Sequence, residues 1–132
     1  MKYGRFSLLL LTALSIISLP AQTLPVNTFS TIPSSVDETS GLAVNGPNKI
    51  WTHNDSGGQN ELYELDTLGN LNRILTILNA NLVDWEELAK DDVGNFYIGD
   101  FGNNGNARTN QKIYIIPNPD SLSGDSVNAQ VI

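Results

Sequence analysis

From residue 37 onward the chain is a series of short apolar runs cut by clusters of Gly, Asn and Asp. Residues 40–44 end at Asn45-Gly46-Pro47-Asn48. Residues 49–53 stop at Asn54-Asp55-Ser56-Gly57-Gly58. Residues 61–65 alternate, imperfectly, between apolar and charged positions and meet Asp66-Thr67-Leu68-Gly69-Asn70, after which residues 73–78 make another run. Runs of this length, rich in Ile, Val, Tyr and Trp and bounded by such residues, predict strands, because Gly, Asn and Asp accept the backbone angles of tight turns. A second series follows: residues 87–89, a turn at Asp91-Asp92-Val93-Gly94-Asn95, strands over 95–98 and 112–116 around a Gly/Asn loop, a turn region over 118–125, and a further strand opening at Val127. Only residues 82–88 could pass for a helical turn.

The two series are one pattern used twice. Glu38-Thr39-Ser40-Gly41-Leu42-Ala43 aligns with Asp84-Trp85-Glu86-Glu87-Leu88-Ala89 at an offset of 46, and Ile50-Trp51 aligns with Phe96-Tyr97 at the same offset. Leu62-Tyr63 aligns with Ile113-Tyr114 at 51, the difference lying in the longer loop over 99–111. A period in the forties with four strand-like runs per unit predicts propeller blades, which stack because a single four-stranded sheet cannot bury both of its faces. The expected fold is therefore all-β, a partial β-propeller of about two four-stranded blades, with an ordinary antiparallel sandwich as the alternative. A closed propeller needs about four blades or more, and Val131-Ile132 falls in mid-strand on this reading. The chain is accordingly expected to be a fragment of a longer propeller.

The N-terminus changes the compartment, not the fold. Lys2 and Arg5 precede an uncharged apolar run over residues 6–19 that Pro20-Ala21-Gln22 breaks. This is the pattern of a secretory signal peptide, here residues 1–21, with an uncleaved anchor as the alternative. Residues 22–36 read as a linker or first extended strand and residues 37–132 as incomplete blades. The expected location is secreted, cell-surface or periplasmic. No second apolar segment predicts a membrane span in the mature chain. Loss of Lys2 and Arg5 from seven basic residues leaves five against fourteen acidic ones, a formal charge of −9. Such a surface disfavours nucleic acid and suits divalent cations or cationic partners. The absence of cysteine removes thiolate metal sites, thiol nucleophiles and disulfides.

Candidate chemistry follows the repeat. Asp37, Glu38, Asn54 and Asp55 flank the first two strands of the first unit; Asp84, Glu86, Glu87, Asp100, Asn103 and Asn104 flank those of the second. Equivalent positions on successive blades converge at one rim, and a ring of hard oxygen donors is what Ca²⁺ takes, about six to eight at 2.3–2.6 Å. The loop from Asp100 is not an EF-hand, since Gly102 and Gln111 hold the positions where that loop needs ligands. His53, the one histidine, is a weak candidate for a general base, and Arg108 for holding a carboxylate or phosphate. Trp51 and Trp85 are expected between the blades, with sugar stacking as the lesser alternative.

Glu38-Thr39-Ser40-Gly41-Leu42-Ala43, Trp51-Thr52-His53-Asn54-Asp55-Ser56-Gly57, Asp84-Trp85-Glu86-Glu87-Leu88-Ala89, and Gly99-Asp100-Phe101-Gly102-Asn103-Asn104 followed by Arg108 together resemble a group of secreted bacterial β-propeller proteins of the Bacteroidetes type. Some of those relatives carry phytase-like or esterase-like labels, and many end in a sorting domain that has no counterpart here. Glu87 stands where the family's motif commonly has Asp. Carried over by position, the resemblance implicates Glu38, Asp55, Asp84, Glu86, Asp100 and Asn104 in an ion-binding rim. The expected function is an exported binding or scaffold module with a Ca²⁺-binding acidic rim and an unknown small-molecule, glycan or protein partner. The alternative is a Ca²⁺-dependent phosphoesterase or other secreted hydrolase.

Overall fold

A computed structural model describes residues 23–25, 28 and 30–132. The expected signal peptide lies outside them. The described residues form two β-sheets packed face to face. The first holds β1 (Thr39–Val44), β2 (Ile50–Asn54), β3 (Glu61–Leu65) and β4 (Leu71–Ile77) as an antiparallel meander. The second holds β5 (Trp85–Lys90), β6 (Phe96–Asp100) and β7 (Lys112–Ile116), also antiparallel. No helix among the described residues is long and apolar enough to cross a membrane.

The repeat expected from the sequence is a repeat of register. Leu42 pairs with Thr52, Ala43 with Trp51 and Val44 with Ile50; in the second sheet Leu88 pairs with Ile98, Ala89 with Tyr97 and Lys90 with Phe96. Every partner is displaced by 46. Both ladders carry an irregularity at the same place, after the Thr39–Asn54 pair in one and the Trp85–Asp100 pair in the other. The next ladder repeats too: Thr52 pairs with Tyr63, and Ile98 with Tyr114.

Turn chemistry explains part of this. Asp66 and Asp91 each open a D-x-x-G-N turn. The Asp Oδ1 accepts the backbone N–H groups two and four residues on, its Oδ2 accepts from the Asn side-chain amide, and its carbonyl accepts from the Gly N–H. Gly69 and Gly94 take the positive φ the turn requires, 82° and 91°. Hydrogen bonds from Asn70 hold the Asp66 carboxyl below its ordinary pKa. Desolvation pulls the Asp91 carboxyl upward, but the donors Asn95 and Tyr97 outweigh it and leave it lowered.

The end of the chain differs from expectation. Residues 126–131 do not open a new sheet. Beyond a 3-10 turn at Pro119–Ser121, β8 (Ser126–Val127) returns to the first sheet and lies parallel to β4, and β9 (Gln130–Val131) completes the second as the antiparallel neighbour of β7. The first sheet thus has five strands, not four. Arg73 clamps the returning segment, donating to Asp125 Oδ1 and to the carbonyls of Pro119 and Gly124. Asn79 exchanges two hydrogen bonds with the Ala129 backbone. A run as short as 126–127 carries no periodicity by which its partner could be read.

The core lies between the sheets. Trp51, Leu62, Leu75 and Ile77 from the first meet Trp85, Leu88, Phe96, Ile98, Tyr114 and Ile116 from the second, all essentially without solvent exposure. Trp51 meets Phe96 edge-on, with centroids 5.8 Å apart. Each such side chain contributes roughly 1.5–3 kcal/mol by burial, against about 0.5–1.5 kcal/mol for a turn hydrogen bond. The packing between sheets, more than the turns, therefore holds the fold. The two tryptophans occupy the intersheet space expected of them, and burial leaves neither ring face to a sugar.

Candidate metal centre

The two sheets meet along β1 and β5. At one end of that joint the backbone of Asp55, the residue after β2, bridges both. The Asp55 N–H donates to the Glu38 carbonyl (2.8 Å), and the Asp55 carbonyl accepts from the Trp85 N–H (2.9 Å). Ser40 Oγ donates to the Glu86 carbonyl (2.9 Å). These bonds pull the end of β2 against the start of β5. Because Trp85 turns into the core, its neighbours Asp84 and Glu86 turn the other way, the ordinary alternation of a strand.

As a result, Asp55, Asp84 and Glu86 each offer a carboxylate oxygen within 4.8 Å of the others. All three are half-buried. Burial, then the Asp84 charge, then Glu38 push the Asp55 carboxyl above its ordinary pKa, with His53 opposing. Asp55 Oδ1 is buried without a hydrogen-bond partner. The Asp84 carboxylate lies over Gly102, where a Cβ would come within 2.2 Å of its carboxyl carbon. Glycine at 102 is what lets the loop after β6 approach so closely.

The other candidates divide. Glu38 is exposed at the margin of this cluster, with Ser56 Oγ 3.5 Å from its Oε2. Asp100 is fully buried behind it. Its Oδ1 accepts from the Asp84 N–H (3.3 Å) and from Arg108 Nη2 (2.7 Å), while its Oδ2 has no partner. Asn104 is exposed on the loop and lies outside the group of three. Its neighbour Asn103 shapes that loop instead, Oδ1 accepting from the N–H groups of Ala107 and Arg108.

Arg108 takes the carboxylate option of the two read from the sequence. Besides Asp100 it donates to the Gly102 carbonyl (2.9 Å). His53 is fully buried, its ring edge-on to Trp85 at 5.5 Å. Nδ1 donates to the Asn54 carbonyl (2.9 Å), which fixes the tautomer, and Nε2 faces the Glu87 backbone across Gly41 without a well-aligned hydrogen bond. Burial pushes the imidazole pKa down, with the Asn54 and Glu87 backbones opposing.

A histidine held neutral by burial has a definite pH signature. Its folded pKa lies below the unfolded value of about 6.5, so the unfolded chain binds the extra proton first. The contribution of His53 is fully present above that value and is lost as pH falls from about 6.5 toward the folded pKa. The melting temperature should decline from pH 7 to pH 5 in wild type, with a shallower decline in His53→Gln whatever its starting stability. Parallel profiles for the two proteins would show that another group sets the acid limb.

The sequence missed the pairing that makes this site. The repeat aligns Glu38 with Asp84, Ser40 with Glu86, and Asp55 with Phe101. The cluster therefore joins the loop after the second strand of one unit to the start of the next and is not a set of equivalent positions. Compared with protein-family models, curated proteins and solved structures, the chain finds no match.

Proposed function

We propose that this chain is an exported β-propeller-type binding or scaffold module in which Asp55, Asp84 and Glu86 hold a Ca²⁺ ion at the joint between two blades. The observation that carries the reading is the convergence of three half-buried carboxylates from two sheets. Supporting it are the unpartnered Asp55 oxygen and the raised Asp55 pKa, both of which a cation relieves. Oxygen donors alone, three to six of them depending on denticity and with water for the rest, suit a large ion of flexible coordination better than Mg²⁺. The blade reading rests on the repeated register and on sheets that stack face to face. The secretory reading rests on residues 1–21 and the acidic mature chain. The shared motifs favour a relative of the secreted propeller proteins they resemble. The hydrolase alternative asks His53 to move a proton and Arg108 to hold an anion. His53 is buried and Arg108 is committed to Asp100, so no observation favours that alternative.

Thermal unfolding in EDTA, Ca²⁺ and Mg²⁺ tests the ion. At 100-fold excess over its dissociation constant, Ca²⁺ should stabilise the fold by about 2.7 kcal/mol, with Mg²⁺ giving less. Asp84→Asn should abolish the response, whereas Asn104→Ala should keep it. A midpoint identical in all three conditions sinks the metal centre and leaves three carboxylates at a joint.

A further inference from the structure

An asparagine followed by glycine is chemically labile, because no Cβ shields the glycine nitrogen from the side-chain amide before it. The sequence holds two such pairs, Asn45-Gly46 and Asn104-Gly105. Both lie in loops between strands, the first after β1 and the second after β6. The fold treats them differently. Asn45 is half-buried and its amide is held, Nδ2 donating to Asp120 Oδ2 (3.1 Å). Asp120 is itself fixed by its ion pair with Lys49 (2.7 Å).

Asn104 and Gly105 are both exposed. They form the tip of a turn that the Asn106 N–H closes by donating to the Asn103 carbonyl (2.8 Å). The side-chain hydrogen bonds of this loop run from Asn103 and Arg108 and pass Asn104 by. A Cβ built on Gly105 would meet no atom within 4 Å among the described residues. That space leaves room for the rotation that brings the Gly105 nitrogen to Asn104 Cγ. The neighbouring asparagines each lack a requirement. Asn103 has both amide atoms engaged, Oδ1 accepting from Ala107 and Arg108 and Nδ2 donating to the Arg108 carbonyl. Asn106 precedes Ala107, whose Cβ crowds the attacking nitrogen.

We propose that Asn104 is a site of spontaneous deamidation in the folded protein, and that Asn45 is protected by its contact with Asp120. The Gly105 backbone nitrogen gives up its proton to solvent and attacks Asn104 Cγ. A C–N bond forms there, the bond from Cγ to the side-chain nitrogen breaks, and that nitrogen leaves as ammonia. The product is a five-membered succinimide. Water then opens the ring at either carbonyl. Attack at Cγ gives aspartate on the original main chain, and attack at the main-chain carbonyl gives isoaspartate, with the chain running through Cγ. Either product puts a new carboxylate on the loop that carries Arg108. The isoaspartyl product also lengthens the main chain inside the 103–106 turn. The inference is independent of the ion and of the propeller reading.

Prolonged incubation in mildly alkaline buffer, with and without urea, tests it. Tandem mass spectrometry of proteolytic peptides locates each converted asparagine, and isoaspartyl methyltransferase labelling detects the isoaspartyl product. In the folded protein Asn104 should convert about tenfold faster than Asn45, the factor expected where a hydrogen bond to a charged group must first break. In urea the two pairs should convert at similar rates. Gly105→Ala has room for its methyl, so it should keep the wild-type circular dichroism and slow the conversion of Asn104. Asp120→Ala should bring Asn45 up toward the rate of Asn104. Equal rates for the two pairs in the folded wild type overturn the proposal. So does an Asn104 that stays intact when folded yet converts in urea. An unchanged rate in Gly105→Ala overturns the ring-closing route in favour of direct amide hydrolysis. An Asn45 that stays inert in Asp120→Ala overturns the protection assigned to that contact.

Discussion

Arg108→Ala is expected to destabilise the protein by about 3–5 kcal/mol, the usual cost of stranding one member of a buried ion pair. The guanidinium lies 2.7 Å from Asp100 Oδ1, with the two side chains 15% and 0% exposed. Asp100 has no other charged partner among the described residues, and its second oxygen already lacks a donor. Without the arginine, a buried carboxylate must either stay uncompensated or take up a proton. The double variant Asp100→Asn/Arg108→Met removes both charges and should recover much of the loss. The first sheet tolerates an uncharged Asn54 at the position equivalent to Asp100. Urea denaturation of the wild type, both single variants and the double variant supplies the cycle. A loss below about 1 kcal/mol for Arg108→Ala would mark the pair as screened like a surface bridge.

Trp51→Ala should cost a similar amount, about 3–5 kcal/mol, because the indole is the largest side chain that the first sheet presses onto the second. The informative comparison is with phenylalanine. Trp51 Nε1 has no hydrogen-bond partner, and Tyr97 fills the equivalent place in the second sheet. Trp51→Phe therefore loses ring volume and part of the attraction to Arg73, whose guanidinium lies 5.9 Å over the indole, but no hydrogen bond. Trp85 Nε1 donates to the Asn81 carbonyl (3.1 Å), so Trp85→Phe should lose about 0.5–1.5 kcal/mol beyond the volume term. Equilibrium denaturation ranks the two. A Trp51→Phe protein less stable than Trp85→Phe would mean that ring shape, not the indole hydrogen bond, decides the difference.

Much of the fold was legible because it is written locally. The offset of 46 appears in the residue types and returns in the ladder partners, and the D-x-x-G-N turns announce themselves by an Asp, a Gly and an Asn at fixed spacing. The parallel return of Ser126–Val127 had no such mark, because two residues cannot display a period and their partner lies fifty positions back at Thr76 and Ile77. The candidate centre was half legible. Asp55, Asp84 and Glu86 stood among the residues singled out, but the repeat ranks positions by equivalence, and contact across the joint follows a different rule. Asp100 shows the limit most clearly. Its carboxylate reads as a ligand in the sequence; in the structure Oδ1 accepts from Arg108 while Oδ2 has no partner, a division that only the fold determines.

The parallel strand at the edge of the first sheet also bears on how the protein is made. Residues 39–77 form a contiguous meander, and nearest-neighbour pairing needs only short loops to close. Its last edge stays open until the chain has travelled through β5, β6 and β7 and come back to lay Ser126–Val127 beside β4. Closing a loop of that length carries an entropic cost that grows only slowly with length, but the wait is set by synthesis, at about 5–20 residues per second. For those seconds β4 presents unpaired backbone groups to whatever strand is nearby. Both sheets thus wait for the same C-terminal segment, which supplies β8 to the first and then, a few residues on, β9 to the second.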